Sequence, residues 1–298
     1  MTGVGIVGAG AVGQTIGALL VTTGWCTQIT VTSRTEESAV GLACDLEDMA
    51  AVTGSHVRVQ PTADAADLAA CEALVVCPRA RFTNTATNDV RMAGLAANAP
   101  VITALGRELE GYTGVVIVVT NPVDIMTRLF AEASGAVRVF GIGSHTDTAR
   151  YRIALANRLG LPLGSVQARV IGEHGEDAVI TGTTVNGRPL TAVPPGIRRE
   201  AARRPTVINA GIGRTRCGPA GAVLAALRHT LGLVDGVLEL SAHHEGAWLG
   251  VPVRLTAGHP TIALPRLSPD EQAALTAART KLTTAYEAIP SIRKETVV

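Results

Sequence analysis

Short runs rich in valine and isoleucine recur through the first half of the chain, at Gly3–Val7, Gln28–Thr32, Ala73–Val76, Pro100–Thr103 and Val115–Thr120. They are uniformly apolar rather than striped, as expected for strands covered on both faces. Alanine-rich segments of helical character separate them, and the alternation predicts an α/β architecture with a parallel sheet between helices. After Val139–Gly143 the character changes. A long helical pattern over Thr148–Leu159 leads into the apolar run Val166–Ile171 and then into hairpin-like segments around Asn186-Gly187. This change places a domain boundary near Gly143, giving units of residues 1–143 and 144–298. The stretch Pro194–Pro205, with its pairs Arg198-Arg199 and Arg203-Arg204, reads as a solvated connection or short helix without chemistry. Ser268-Pro269-Asp270-Glu271 has capping-box spacing with proline in the first turn, and predicts a last, packing helix to about Tyr286.

Composition narrows the classes. The chain has 298 residues, enough for two units sharing an interface, and a formal net charge of +1. Its basic residues are scattered, so no stripe suits a nucleic acid or a membrane surface. The five cysteines, Cys26, Cys44, Cys71, Cys77 and Cys217, lack metal-ligand spacing and do not suggest a closed disulfide framework. No metal is expected. The chain passes from Met1 directly into the run Val4–Val7 and has no apolar stretch of membrane-spanning length, so a cytoplasmic protein is expected.

Chemistry enters at Gly8-Ala9-Gly10-Ala11-Val12-Gly13, a G-x-G-x-x-G spacing directly after a strand and before the helical run Gln14–Val21. Gly8 permits the tight turn, Gly10 lets backbone approach a pyrophosphate, and Gly13 allows close packing of helix on strand. Phosphate would sit on the positive end of the helix, with Ala11 and Val12 in its first turn. At the end of the second strand, an acidic residue usually accepts from the ribose hydroxyls of NAD. Here the sequence is Ser33-Arg34-Thr35, a hydroxyl and a guanidinium suited to a 2′-phosphate. NADP is therefore expected, with NAD the alternative if Glu36 or Glu37 makes the usual contact.

Three further motifs follow in order: Thr120-Asn121-Pro122-Val123-Asp124, Asp147-Thr148-Ala149-Arg150 and Gly172-Glu173-His174-Gly175. They offer an acid/base histidine, a carboxylate to orient it and an arginine to grip an anion. With the glycine motif, they resemble the lactate/malate dehydrogenase family over nearly the whole chain. The resemblance implies an N-terminal Rossmann dinucleotide-binding domain with a parallel sheet, an α+β substrate domain after it, and a homo-oligomer, dimer or tetramer. It implies that His174 is the catalytic acid/base, that Asp147 orients it and that Arg150 binds the substrate carboxylate. Asn121 is implied beside both the substrate oxygen and the cofactor ribose.

The family's substrate loop corresponds to the region Cys77–Arg91, which lacks the usual proline-glycine hinge and is a few residues longer. Spacing to Asn98 makes Arg91 the candidate for polarising the substrate carbonyl, and puts Thr85 where the family chooses between substrates. Arg79 or Arg81 is the alternative source of a cation. Thr215 resembles the threonine on the opposite pocket wall, beside an unexpected Arg216, and the segment between Asp177 and Thr215 is shorter than in the family. The expected activity is hydride transfer between NADP(H) and a small 2-oxo/2-hydroxy carboxylic acid. The alternatives are an ordinary malate dehydrogenase, a biosynthetic reductase of a larger 2-oxo acid or imine, and a catalytically idle nucleotide-binding protein.

Overall fold

The computed structural model describes residues 2–84, 86 and 89–290, so Thr85 lies outside the described residues. In the first half, β1 (Thr2–Val7) turns through the glycine motif into α1 (Ala11–Val21), and β2 (Cys26–Thr32) leads to α2 (Glu36–Thr53) and β3 (Arg58–Pro61). There follow β4 (Ala73–Val76), α3 (Leu95–Glu108), β5 (Val115–Val118), α4 (Val123–Ser134) and β6 (Val139–Gly141). The strands lie in the order β3-β2-β1-β4-β5-β6, all parallel, and every residue of β4 and β5 is buried. Burial on both faces is what their uniform valine content allows.

The second half begins with α5 (Gly143–Leu159), the strands β7 (Val166–Gly172), β8 (Ala178–Val185) and β9 (Arg188–Pro189), and α6 (Ile197–Ile212). It continues through α7 (Cys217–Thr230), β10 (Gly236–His244), β11 (Ala247–Thr256), β12 (His259–Ile262) and α8 (Pro269–Glu287). These strands extend the sheet beyond β6 as β10-β11-β7-β8-β9, antiparallel throughout, with β12 on β11. Two joints depend on glycine. Gly141 pairs with Ser241 where Thr127 and Val123 leave no space for a side chain, and Gly250 pairs with Gly172 against the Ser144 hydroxyl. These close approaches bring the end of β7 to the start of α5.

Several expectations need correction. Pro100–Thr103 is not a strand but part of α3, where Ala99, Ile102, Thr103 and Gly106 are buried at helical spacing. Its β-branched residues gave a local strand signal that the helical period overrides. The strand β3 escaped notice because only Val59 of its four residues is buried, on a sheet edge. Pro194–Pro205 contributes to a full helix, α6, that packs Ile197 and Ala201 beside Tyr151, Ala154 and Leu155 of α5. Asn186 and Gly187 both take positive φ, 49° and 75°, as a two-residue hairpin turn requires. The capping box of α8 is formed on both sides, and the helix buries Leu275, Ala278 and Leu282. No helix among the described residues is long and apolar enough to cross a membrane.

Candidate active site

The glycine turn is shaped by contacts that admit no side chain on its inner face. Gly8 has φ of 116°, and a Cβ there would press on Cys77 and Pro78 at 3.0–3.1 Å; a Cβ on Gly13 would collide with the Gly8 carbonyl oxygen. Gly10 is different: nothing lies within 4 Å of where its Cβ would be. It also stands as the N-cap of α1 without a side-chain hydrogen bond, so the first-turn amides at Ala11, Val12 and Gly13 have no side-chain cap. An open approach to uncapped helix amides fits a dinucleotide pyrophosphate. At the end of β2 the Ser33 hydroxyl accepts from the Ala9 amide at 3.3 Å, tying the strand end to the turn. Arg34 is exposed there, and Glu36 and Glu37 are exposed in the first turn of α2, which Thr35 caps through the Ser38 amide.

A side-chain cluster gathers at the end of β7. Gly172 takes φ of 84° against Leu275 and Ala278 of α8, and this turn delivers Glu173 and His174. The His174 ring lies so close to Gly143 that a Cβ there would collide with it. His174 Nδ1 donates to Asp147 Oδ2 at 2.6 Å, while Arg150 donates to Oδ1 of the same carboxylate at 3.0 Å and Arg91 stands 3.5 Å from it. Asp147 and Arg150 are neighbours on one face of α5 because helical positions three apart align. Burial alone would raise the Asp147 carboxyl, but His174 and the two arginines outweigh it and hold it at about 2. Burial pushes the His174 imidazolium down, reinforced by Arg91 and opposed by Asp147, so the resting ring favours the neutral form. Burial likewise lowers Arg150, which Asp147 opposes and the charges of Arg91 and Arg204 assist.

The asparagine-proline turn is linked to both regions. The Thr120 hydroxyl donates to the Pro78 carbonyl beside Gly8 at 2.6 Å, and Asn98 Nδ2 donates to the Asn121 carbonyl at 2.8 Å while its Oδ1 accepts from the Ala80 amide. The Asn121-Pro122 peptide is cis, and the Asn121 Oδ1 is buried without a hydrogen-bond partner among the described residues. Two residues on, buried Asp124 accepts from the His174 amide at 2.8 Å. Burial pushes the Asp124 carboxyl up to about 7, against the pull of that hydrogen bond. Among the described residues the segment thus has two buried oxygens without a hydrogen-bond partner, Asn121 Oδ1 and Asp124 Oδ1, and one carboxylate oxygen, Asp124 Oδ2, fixing the histidine's backbone.

The candidate residues are distributed unevenly. His174, Asp147, Arg150 and Arg91 converge, and Asn121 lies three residues before Asp124, which accepts from the His174 amide. Thr215 lies half-buried between α6 and α7, and no hydrogen bond or ion pair among the described residues joins it to the cluster. Arg79 is exposed with its guanidinium 4.5 Å over the Phe82 ring, and Arg81 is exposed. Sequence reading did not single out Asp124, Glu173 or Lys281. The first two sit inside recognised motifs, next to residues given roles, and that position was the available signal. Lys281 is a lone lysine on a helix read as packing, and only the tertiary structure brings it to Glu173, at 3.0 Å.

The model of the lactate/malate dehydrogenase NAD-binding domain matches residues 2–141. L-Lactate dehydrogenase of Lactobacillus delbrueckii subsp. bulgaricus is 34% identical over 196 residues, 63% of this chain and 62% of that relative's length. Malate dehydrogenase 2 of Rhodopseudomonas palustris is 32% identical over 283 residues, 85% of each chain. In fold, malate dehydrogenase of Plasmodium falciparum superimposes with a TM-score of 0.88 at 19% identity, covering 96% of this chain and 98% of that one. On the matched domain and the long alignment together, the chain belongs to the lactate/malate dehydrogenase family.

Proposed function

We propose that the chain is a nicotinamide-dependent oxidoreductase interconverting a small 2-hydroxy carboxylic acid and its 2-oxo acid. The observation that carries this reading is the sharing of Asp147 by His174, Arg150 and Arg91. Residues 1–143 would hold the dinucleotide, and residues 144–298 would supply most of the substrate site. The first-turn amides of α1 would take the pyrophosphate, and the unpaired Asn121 Oδ1 would meet the nicotinamide ribose. When bound, the nicotinamide supplies or accepts the hydride.

The chain's own residues then handle charge and protons. Arg150 grips the substrate carboxylate with parallel hydrogen bonds and so fixes the reacting carbon. His174 is held by Nδ1 on Asp147, leaving Nε2 to take the hydroxyl proton during oxidation or return it to the carbonyl oxygen during reduction. Its neutral resting form suits the first task. An anionic substrate beside Arg150 offsets the arginines' charge and favours the imidazolium needed for the second. Arg91 stabilises the developing alkoxide.

We assign NADP as the preferred cofactor, because Ser33 and exposed Arg34 follow β2 where a carboxylate would repel a 2′-phosphate. The cations paired within the cluster are Arg91 and Arg150, while Arg79 is engaged over Phe82. This favours a 2-oxo acid with a neutral or polar side chain over a dicarboxylate. Initial rates with NADPH and NADH across pyruvate, oxaloacetate and larger 2-oxo acids test the reading. Faster NADPH oxidation with a monocarboxylate is expected, with turnover lost and cofactor binding retained in His174→Ala. A preference for NADH defeats the cofactor assignment, and unaltered turnover in His174→Ala defeats the mechanism.

A further inference from the structure

We propose that Lys281 of α8 is a positioning residue for the reaction, holding the backbone segments that carry Arg91 and His174 in one arrangement by binding a carboxylate from each. The inference rests on the dehydrogenase reading above for its kinetic consequence, though not for its structural one.

Lys281 lies one turn beyond Ala278 and beside Leu282, on the flank of the face that α8 buries. Its ammonium makes three short contacts: to Asp89 Oδ1 at 2.7 Å, to Asp177 Oδ2 at 2.8 Å and to Glu173 at 3.0 Å. An ammonium has three N–H donors, so these carboxylates use all of them. Asp89 precedes Arg91 by two residues and Glu173 immediately precedes His174, so one cation reaches both halves of the proposed chemistry. Asp89 is tied a second time, its amide donating to Glu176 Oε1 at 3.1 Å.

The balance of charge makes Lys281 hard to replace. Glu173 is buried, and its carboxylate lies where a Cβ on Gly175 would collide with it. Burial raises the Glu173 carboxyl, and Lys281 opposes that rise. Burial would lower the Lys281 ammonium, but its bonds to Asp177, Asp89 and Glu173 hold it above the ordinary lysine value. Removing the ammonium would leave three carboxylates converging with no cation between them. The cheapest relief is for the exposed segment bearing Asp89 to move away, because Glu173 and Asp177 are anchored to each other through the Asp177 amide, 3.2 Å from Glu173 Oε2. Arg91 would leave Asp147 with that segment.

The test compares Lys281→Met, which keeps length without charge, with Lys281→Arg and with Asp89→Asn. In Lys281→Met, amide hydrogen exchange at Asp89–Arg91 is expected to accelerate by about tenfold or more, while β4, β5 and α8 keep their protection. Turnover should fall by about tenfold or more with little change in the KM for the nucleotide, as expected when a reacting group is misplaced rather than a binding group lost. Lys281→Arg should restore most of both, and Asp89→Asn should reproduce a smaller part of each. Unchanged protection at Asp89–Arg91 in Lys281→Met overturns the proposal, as does loss of protection throughout α8 that Lys281→Arg fails to restore. If the unaltered protein turns over no 2-oxo acid, the dehydrogenase reading fails, while the exchange measurement still decides the role of Lys281.

Discussion

Arg150 stands on α5, three residues after Asp147, whereas Arg91 arrives at the same carboxylate from the segment between β4 and α3. The α5 arginine is placed by helical repeat and by packing of Tyr151, Ala154 and Leu155 against β7 and α6. The other is placed by side chains: Asn84 donating to the Val90 carbonyl, Glu176 accepting from the Asp89 amide, and Lys281 holding Asp89. Two cations serving one carboxylate can therefore differ widely in how rigidly they are prepared. The group proposed to grip a ground-state anion is built into secondary structure. The group proposed to meet charge only as the reaction proceeds depends on two side-chain-to-backbone hydrogen bonds and one partly buried ion pair.

Lysine substitutions at the two positions would break this comparison most sharply. Arg150→Lys keeps charge but loses the parallel pair of donors, and kcat/KM for the acid is expected to fall by roughly 10²–10³, mainly through KM. Arg91→Lys, acting on developing charge rather than on a planar carboxylate, is expected to lower kcat by about tenfold with a small change in KM. Steady-state kinetics at saturating cofactor would check both. Equal losses in the same parameter at both positions would show that the arginines share one task.

The same contrast explains what was legible in the sequence. Gly8, Gly10 and Gly13 stand out by their fixed spacing, which the structure explains at Gly8 by its positive φ and at Gly13 by the close Gly8 carbonyl, and Asp147 and Arg150 stand out because one helix face joins them. The strands β1, β4 and β5 announce themselves by uniform valine content, whereas Val101-Ile102 gave the same local signal inside α3. Lys281 could not be read, because its partners come from segments far apart in the chain and no repeat or spacing links them. Thr215 could be placed by likeness, but no contact with the cluster follows from its neighbours in sequence.

Behind the histidine that shares Asp147 with both arginines stands Asp124, whose carboxylate holds the His174 amide and is pushed from 3.8 up to about 7 by burial. A carboxyl raised on folding favours the native state where it is protonated and opposes it once ionised. The cost is absent below the unfolded value, grows as pH rises towards about 7, and is constant above it. Asp124→Asn retains an oxygen to accept from His174 and removes the charge. It should stabilise the protein by on the order of 4 kcal/mol at pH 8 and by little at pH 4. Denaturant unfolding at the two pH values measures this, and equal effects at both would show that Asp124 is neutral throughout.

The smallest effect separates the helix that bears Lys281 from the lysine itself. Ser268 accepts from the Glu271 amide at 3.3 Å, and Glu271 Oε2 accepts from the Ser268 amide at 2.7 Å, closing the N-terminus of α8. Ser268→Ala removes half of that box and is expected to cost about 1 kcal/mol, seen as a fall in Tm of about 2 °C. Lys281 stands roughly three and a half turns further along, beyond the reach of a frayed first turn. Leu275 and Ala278 remain packed between the two points and hold the helix on the sheet. Exchange at Asp89–Arg91 should therefore stay as slow as in the unaltered protein although the fold is weaker. If weakening the cap alone released that segment, the placement of α8 would be what holds it, and the ammonium of Lys281 would be one contact among many.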